Sequence, residues 1–282
     1  TSIQSFAFMN CKKLSKVTIP NSNVKMNIQS AVFLGCSSLK SINIPKQVNK
    51  IGDGAFCCPN LAKITVDKNN KYFVSVKDVL YKAGKKYLLQ YAPGKKDTRF
   101  TIPSTVKTMG VASFMYSKNL KSVTLPKSIK WIEQNNFAYC TNLETIVIPK
   151  SVTVVSSESF YKCNKLRVVF YDGSKKQWNK LDKSTETNLL KATVAYNGAK
   201  SAVALNTKSL TVKKGKTAQI KGSVYYKNGK VSKSVNYKTS NSKVATVNGK
   251  GKVTGKKKGT CYVTVSVKGN SKVYSKCKVV VK

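Results

Sequence analysis

The chain has 282 residues, of which 52 are Lys or Arg, 10 are Asp or Glu and none is His, giving a formal net charge of +42 at pH 7. This length suits two ordinary domains, and no apolar run reaches the roughly 18 to 20 residues that a membrane-spanning helix needs. The lack of histidine excludes Ser/His and Cys/His catalysis and histidine-ligated metals, so we predict no active site, no metal site and no cofactor.

The first predicted element is a unit that recurs through the first 200 residues. It runs from Ile3 to Pro20, and its apolar pattern returns in later segments that begin at Ile28, Ile51, Met109, Ile132 and Val155. Each unit contains a Leu-x-x-Ile-x-Ile strand whose alternate residues face one side. One such coil cannot bury its own apolar face, so coils stack and their strands form a parallel ladder. We predict seven rungs, at residues 17–19, 42–44, 64–66, 100–102, 123–125, 146–148 and 169–171.

Residues 67–99 interrupt the repeat. Two apolar segments, Asp78 to Tyr81 and Tyr87 to Tyr91, flank a turn at Ala83-Gly84, which is typical of a β-hairpin. Insertions in solenoids commonly fall on one face and often carry binding. We therefore expect this hairpin to project from the stack.

Residues 172–200 follow the last coil. Gln177-Trp178 and Leu181 are predicted to cover its apolar end, as solenoids require, and Asn197-Gly198 is predicted to be a linker. The solenoid domain with its cap and linker therefore spans residues 1–200. Because Thr1 lies inside a repeat, we expect the chain to be a monomeric piece of a longer protein.

Residues 201–282 have the period of two that is typical of strands. Predicted strands lie around Leu210, Ile220, Val224, Val244 to Val247, Val253, Cys261 to Val267 and Cys277 to Val281. About seven short strands separated by Gly- and Asn-rich turns suggest an immunoglobulin-like β-sandwich. Cys261 and Cys277 fall at inward positions of the last two strands, and the sequence leaves open whether they form a disulfide or remain free thiols.

Two known families resemble these segments. The Ile-x-x-x-Ala-Phe-x-x-Cys-x-x-Leu-x-x-Ile-x-Ile-Pro units resemble BspA-type leucine-rich repeats, and the segments Leu210 to Gly215 and Val244 to Val265 resemble the group-2 bacterial Ig-like domain. The predicted fold class is therefore mainly β: a leucine-rich-repeat solenoid with short helical segments and a hairpin insert, plus a small Ig-like β-sandwich. The resemblance implies an extracellular or cell-surface bacterial protein that adheres to host proteins, cells or glycans, with no fixed ligand.

Five cysteines each precede the repeat leucine by three residues, namely Cys11, Cys36, Cys58, Cys140 and Cys163. This spacing predicts a structural column of small buried side chains that face the core.

Candidate binding residues are aromatic and apolar side chains at predicted surface positions. The middle strand position faces outward and becomes apolar toward the end of the ladder, at Thr124, Val147 and Phe170, and a second column contains Trp131. The hairpin tyrosines Tyr72, Tyr81, Tyr87 and Tyr91 form another candidate patch. The rival interpretation for every one of these aromatic residues is burial in the core or under the cap.

Three functional hypotheses remain. The repeat architecture favours a non-catalytic adhesin-like protein that binds a protein or glycan through the solenoid. The charge favours a polyanion binder, although the lysines are dispersed and only Arg99 and Arg167 offer the bidentate fork that phosphate recognition prefers. The third hypothesis is a structural spacer.

Overall fold

The computed structural model describes residues 1–183 and 187–282 and divides into two units, Thr1–Lys191 and Ala192–Lys282. The sequence-based domain boundary at residue 200 stays a prediction. The strands of the first unit are β1 Ser2–Ile3, β2 Met26–Ile28, β3 Ser41–Ile44, β4 Val48–Ile51, β5 Lys63–Val66, β6 Phe73–Val76, β7 Val79–Lys82, β8 Tyr87–Tyr91, β9 Arg99–Thr101, β10 Thr108–Met109, β11 Ser122–Thr124, β12 Trp131–Ile132, β13 Thr145–Ile148, β14 Val154–Val155 and β15 Val168–Tyr171.

Six of the seven predicted rungs form the main ladder, which consists of β3, β5, β9, β11, β13 and β15. Residues 17–19 form no strand. The pairing is parallel and in the expected register, with Ile42 opposite Ile64 and Val123 opposite both Phe100 and Ile146. The ladder is interrupted between β5 and β9, because β6 lies beside β5 and the Ser75 hydroxyl donates to the Ile64 carbonyl at 2.5 Å.

A second ladder of short parallel strands, which we did not predict, forms another side of each coil. It contains β1, β2 and β4 as one piece, β8 and β10 as another, and β12 and β14 as a third. Its inward residues are the first apolar residues of the repeat, such as Ile28, Met109 and Ile132, which are at most 1% exposed. Its outward residues include Asn27, which is opposite Lys50, and Trp131, which is opposite Val154.

The expectation that the insert projects from the stack is wrong. Strand β8 pairs antiparallel with β7 and parallel with β10, so it belongs to the second ladder. Leu88 to Tyr91 are at most 2% exposed, which a projecting hairpin would not allow. The Tyr91 amide donates to the Ser113 carbonyl at 2.8 Å, the same bond that Phe114 makes to Asn136 in the next coil. Tyr91 therefore takes the phenylalanine position of a coil.

A column of stacked rings runs through the core of the first unit. Ring centroids are 5.4 Å apart between Phe8 and Phe33 and 6.0 Å between Phe33 and Phe56. In the later coils Tyr91, Phe114, Phe137 and Phe160 form a second stacked group, with ring centroids 5.2 to 5.3 Å apart. Each pair adds about 0.5 to 1.5 kcal/mol to the free energy gained by burial.

The cysteine column is buried as predicted at four of its five positions. Each buried thiol donates to the carbonyl of the phenylalanine one coil earlier, with S···O distances of 3.0 to 3.2 Å: Cys36 to Phe8, Cys58 to Phe33, Cys140 to Phe114 and Cys163 to Phe137. The prediction is wrong for Cys11, which is exposed. The surrounding residues 4–13 are exposed as well, so the Cys11 thiol is not enclosed between two coils.

Two short helices follow the last coil, α1 Lys175–Lys180 and α2 Thr187–Lys191. Helix α1 begins with a capping box in which Ser174 and Gln177 satisfy each other's backbone amides. Trp178 is 5% exposed and packs edge-on against Tyr171, with ring centroids 5.2 Å apart. In α2, the Asn188 amide donates to the Phe160 carbonyl at 3.0 Å. An asparagine thus satisfies the carbonyl that a cysteine would bond in a further coil.

The second unit begins with the short strand β16 Thr193–Ala195, which is in none of the sheets of the β-sandwich that follows. The strands of the sandwich are β17 Ser201–Leu205, β18 Ser209–Val212, β19 Thr217–Gln219, β20 Gly222–Tyr226, β21 Val231–Ser232, β22 Val235–Thr239, β23 Ala245–Val247, β24 Lys252–Gly255, β25 Gly259–Val267 and β26 Asn270–Val281. The largest sheet has the order β18-β26-β25-β22. Its core contains Val203, Ile220, Val253, Val263 and Val279, each at most 1% exposed.

Candidate functional site

The predicted apolar pair on the outward side of the main ladder is not on the surface. Val147 is 2% exposed and Phe170 is 1% exposed, so the expectation that they form an open patch is wrong. Strands β13 and β15 are buried at all four positions, on both faces. Burial of such side chains contributes about 1.5 to 3 kcal/mol each to stability. Thr124, the neighbour of Val147, is half-buried.

Trp131 is exposed, with half of its surface accessible. It stands on the outward side of β12 in the second ladder, between the half-buried Thr108 and Val154 in neighbouring coils. Trp131 is therefore open to a ligand, whereas Phe170 is not.

The hairpin tyrosines separate into two groups. Tyr81 is 3% exposed and Tyr91 is fully buried, so these two are core residues and the patch predicted from them is wrong. Tyr87 is half-buried, and Tyr72 is 39% exposed. Of the four hairpin tyrosines, the insert places only Tyr72 and Tyr87 at the surface of the second ladder.

A cleft of about 640 Å³ lies where β2 and β4 meet the start of the insert. Its floor is the outward side of the two strands, with Asn27, Asn49 and Lys50, and its wall is Tyr72 with Lys82. The Asn49 Oδ1 atom is enclosed and has no hydrogen-bond partner within residues 1–183 and 187–282. An enclosed acceptor without a partner costs about 1 to 3 kcal/mol, and a ligand donor would relieve that cost.

Local sequence fixes the shape of this cleft. The Asn70 side chain accepts hydrogen bonds from the amides of Tyr72 and Phe73 at 2.8 and 2.9 Å, and it donates to the Pro45 and Val48 carbonyls at 2.8 and 3.0 Å. These hydrogen bonds connect the start of the insert to the coil that contains Pro45 and Val48. Gly52 allows two neighbouring coils to approach closely at the floor, because a Cβ there would lie 2.4 Å from the Ser30 amide nitrogen.

Beside the cleft, a tyrosine bridges opposite charges. The Lys82 ammonium lies 4.2 Å from the ring centroid of Tyr87, and the Tyr87 hydroxyl donates to Asp53 Oδ1 at 3.2 Å. Burial, together with the Asp53 carboxylate, raises the pKa of Tyr87. Burial and the same carboxylate also raise the pKa of Glu133. The Tyr87 hydroxyl therefore remains protonated and a hydrogen-bond donor at physiological pH.

The surroundings of the cleft are basic. A shallower depression of about 210 Å³ adjoins it at Tyr72 and is lined by Lys25, Lys46 and Lys71. Among the described residues that line the two concavities, none is Asp or Glu. The combined surface offers amide, hydroxyl and ammonium groups around one exposed aromatic ring, which suits a polar ligand with acceptor groups.

The remaining predicted sites lie elsewhere. Cys261 and Cys277 are buried free thiols, and the register places Cys261 opposite Val279 and Cys277 opposite Val263. Of the two alternatives that the sequence left open, the structure has the unbonded one. In the part of the chain that the structure describes, no three Cys, Asp or Glu side chains form a group that could hold a metal ion. No helix in that part is long and apolar enough to cross a membrane.

Sequence reasoning missed Asn27, Asn49 and Lys50. A signal for Asn27 and Lys50 exists, because the residues before the first apolar residue of each coil form a column that could be assigned outward. The column consists of Ser2, Asn27, Lys50, Thr108, Trp131 and Val154. In the structure these residues lie on the short strands of the second ladder, and the repeat pattern alone does not indicate that they form strands.

Comparisons with known proteins agree with this architecture. The family described as BspA type Leucine rich repeat region matches residues 1–76 and 94–185 in six copies, and the bacterial Ig-like domain (group 2) matches residues 191–277. The structure is similar to that of the pneumococcal vaccine antigen PcpA, with 25% identity, a TM-score of 0.57 and coverage of 60% of this chain and 48% of that chain. It is also similar to a leucine-rich repeat protein from Eubacterium ventriosum, with 27% identity, a TM-score of 0.50 and coverage of 67% and 57%. The chain thus spans about half the length of these structures. A search of curated proteins found no match.

Proposed function

Because this chain belongs to the BspA-type leucine-rich-repeat family and carries a C-terminal bacterial Ig-like domain, we propose that it is a bacterial surface or secreted binding protein. Such repeats and Ig-like domains are binding and structural modules typical of bacterial surface proteins, and nothing found in the chain indicates enzymatic activity. In this proposal the solenoid recognises a protein or glycan of a host, a cell surface or a matrix, and the Ig-like domain acts as a spacer.

The observation that carries the proposal is the cleft with its enclosed, unpartnered Asn49 oxygen. A region that served only as a spacer would gain nothing from an unsatisfied acceptor in a concavity of ligand size. Tyr72 at 39% exposure supplies a rigid amphipathic ring of the kind that dominates binding energy at interfaces.

A second candidate function is polyanion binding. The 10 acidic residues can neutralise at most a fifth of the 52 basic ones, so the surface attracts any polyanion. Binding of this kind weakens steeply with salt and shows little selectivity.

The test is binding of the purified chain to an array of matrix proteins, neutral polysaccharides and polyanions at low and physiological salt. The proposal expects selective binding at physiological salt that falls about tenfold or more in Tyr72→Ala combined with Lys50→Ala. The matched control is Tyr262→Ala, which removes a tyrosine of 46% exposure from the second unit. Binding to polyanions alone, lost as salt rises, would support the second candidate function instead.

A further inference from the structure

The turns after the second ladder contain an unusual pair of tyrosines. One position in these turns has a left-handed backbone in five coils: Asn10, Gly35, Tyr116, Tyr139 and Lys162, with φ of 59°, 78°, 65°, 60° and 60°. Equivalent backbone hydrogen bonds define the position. The Tyr116 amide donates to the Ala138 carbonyl and the Tyr139 amide donates to the Tyr161 carbonyl, both within 2.9 Å. Glycine and asparagine adopt this backbone at low cost, whereas a tyrosine there stores about 1 to 3 kcal/mol of strain.

The side chains form a row across three coils, which we call the tyrosine row: Tyr116, Tyr139 and Tyr161. Ring centroids are 4.9 Å apart between the first two and 5.3 Å between the last two, and Tyr161 stands at 83° to Tyr139. Tyr161 is 42% exposed, and the other two are half-buried. Stacking alone would need only phenylalanine. In the part of the chain that the structure describes, the three hydroxyls have no hydrogen-bond partner, so they remain free for a ligand.

One lysine contacts the tyrosine row, and another follows Tyr116 by two residues in the sequence. The Lys162 ammonium lies 5.3 Å from the ring centroid of Tyr161, and the Lys118 ammonium donates to the neutral Asn60 Oδ1 at 3.1 Å. Within residues 1–183 and 187–282, neither of these lysines forms an ion pair. One acid, Glu158, lies in the turn just before Tyr161, which leaves the row with an excess of positive charge.

We propose that the tyrosine row is a binding site for an acidic polysaccharide, that is, a chain of sugars that carry sulfate or carboxylate groups. The tyrosine hydroxyls and the Lys162 ammonium supply donors for the acceptor oxygens of such a chain, while the exposed part of the Tyr161 ring supplies an aromatic surface for the apolar face of a sugar. Nucleic acid fits less well, because the site contains no arginine for the bidentate contacts that phosphates and bases favour. The site occupies the turns and not the second ladder, so it is independent of the function proposed for the cleft. It rests on the second candidate function, polyanion binding, and gives that function a place on the molecule.

The experiment measures binding of the full chain at physiological salt to three probes: heparin, polygalacturonate and neutral dextran. The test variant is Tyr116→Asn combined with Tyr139→Asn, which places at both positions the residue that Asn10 already provides in the first coil. Asparagine tolerates the left-handed backbone, so the variant keeps the fold, and circular dichroism together with the urea midpoint checks that it does. The matched control is Lys256→Gln combined with Lys257→Gln, two exposed lysines of the second unit.

The proposal expects heparin or polygalacturonate, but not dextran, to bind the unaltered chain, with a loss of at least about tenfold in the tyrosine variant and less than about twofold in the lysine control. Three results would overturn it: no binding of either acidic polysaccharide, equal losses in both variants, or displacement of the polysaccharide by single-stranded DNA at the same concentration. If the tyrosine variant unfolds, Tyr116→Phe combined with Tyr139→Phe, which keeps the stacking and removes two hydroxyls, must lower the affinity at least threefold. Unchanged affinity in that variant refutes the proposal.

Discussion

Replacing Phe137 with alanine tests the ring column that holds the coils together. Phe137 is fully buried and stacks on Phe114 at 5.2 Å and on Phe160 at 5.3 Å. Removing a ring from such a site costs about 3 to 5 kcal/mol, because the transfer free energy is lost and a cavity remains. Phe8 is the matched control: it is 40% exposed and stacks only on Phe33 among the described rings. We expect Phe8→Ala to cost about 1 to 2 kcal/mol, since part of its ring already contacts solvent.

Tryptophan fluorescence during urea unfolding measures both effects. The two tryptophans of the chain, Trp131 and Trp178, lie in the first unit, so the signal reports the solenoid and not the Ig-like domain. Trp178 is buried against Tyr171 and should change its emission when the stack opens. A loss in Phe137→Ala that is no larger than the loss in Phe8→Ala would refute the stacking argument.

Three further predictions concern reactivity, alkaline stability and packing. Cys11 is the exposed cysteine, and burial raises the pKa of Cys57 to about 12. A thiol reagent at pH 8 should therefore modify about one cysteine per folded chain. Rapid reaction of several cysteines would contradict the burial of the cysteine column. Burial also raises the pKa of Tyr81 from 10.0 to about 12. The buried neutral phenol therefore stabilises the fold fully below pH 10, and this stability is lost as pH rises toward 12. Tyr81→Phe should raise the pH midpoint of alkaline unfolding, measured by tryptophan fluorescence. Gly52→Ala should lower the free energy of unfolding by about 1 to 3 kcal/mol through the clash with Ser30. Gly84→Ala, which meets no atom within 4 Å but has a φ of +81°, should cost about 1 kcal/mol. A smaller loss in Gly52→Ala than in Gly84→Ala, measured by urea unfolding, would contradict the close approach at the cleft.

The repeat made the solenoid predictable, because one period fixes which residues face the core in every coil. Ile42, Leu120 and Phe137 are buried for that reason, and the rungs at β5, β11 and β13 lie within one residue of their predicted bounds. The repeat pattern also led to a wrong expectation where a residue departs from it. The sequence indicates a projecting hairpin that includes Tyr91, because two apolar segments flank a turn at Ala83-Gly84, whereas in the structure Tyr91 occupies the phenylalanine position of a coil.

The surface was less predictable than the core, because burial depends on which elements cover a strand from outside. The outward position of the main ladder holds the half-buried Thr124 in β11 and the buried Phe170 in β15, although both have the same register. The cleft at Asn49 arises from contacts between a coil and an insert that are separate in sequence. The tyrosine row depends on the left-handed backbone at Tyr116 and Tyr139. Glycine and asparagine adopt this backbone far more readily than tyrosine, so the sequence does not indicate it.

Hydrogen–deuterium exchange of the full chain, with and without the ligand that the binding array identifies, tests the central claim most directly. The account predicts that bound ligand slows exchange in three segments that surround the cleft, residues 26–30, 48–53 and 70–76, and leaves the Ig-like strands β25 and β26 unchanged. Protection confined to the second unit, or to the main ladder around β11 to β15, would contradict the assignment of the cleft as the binding site.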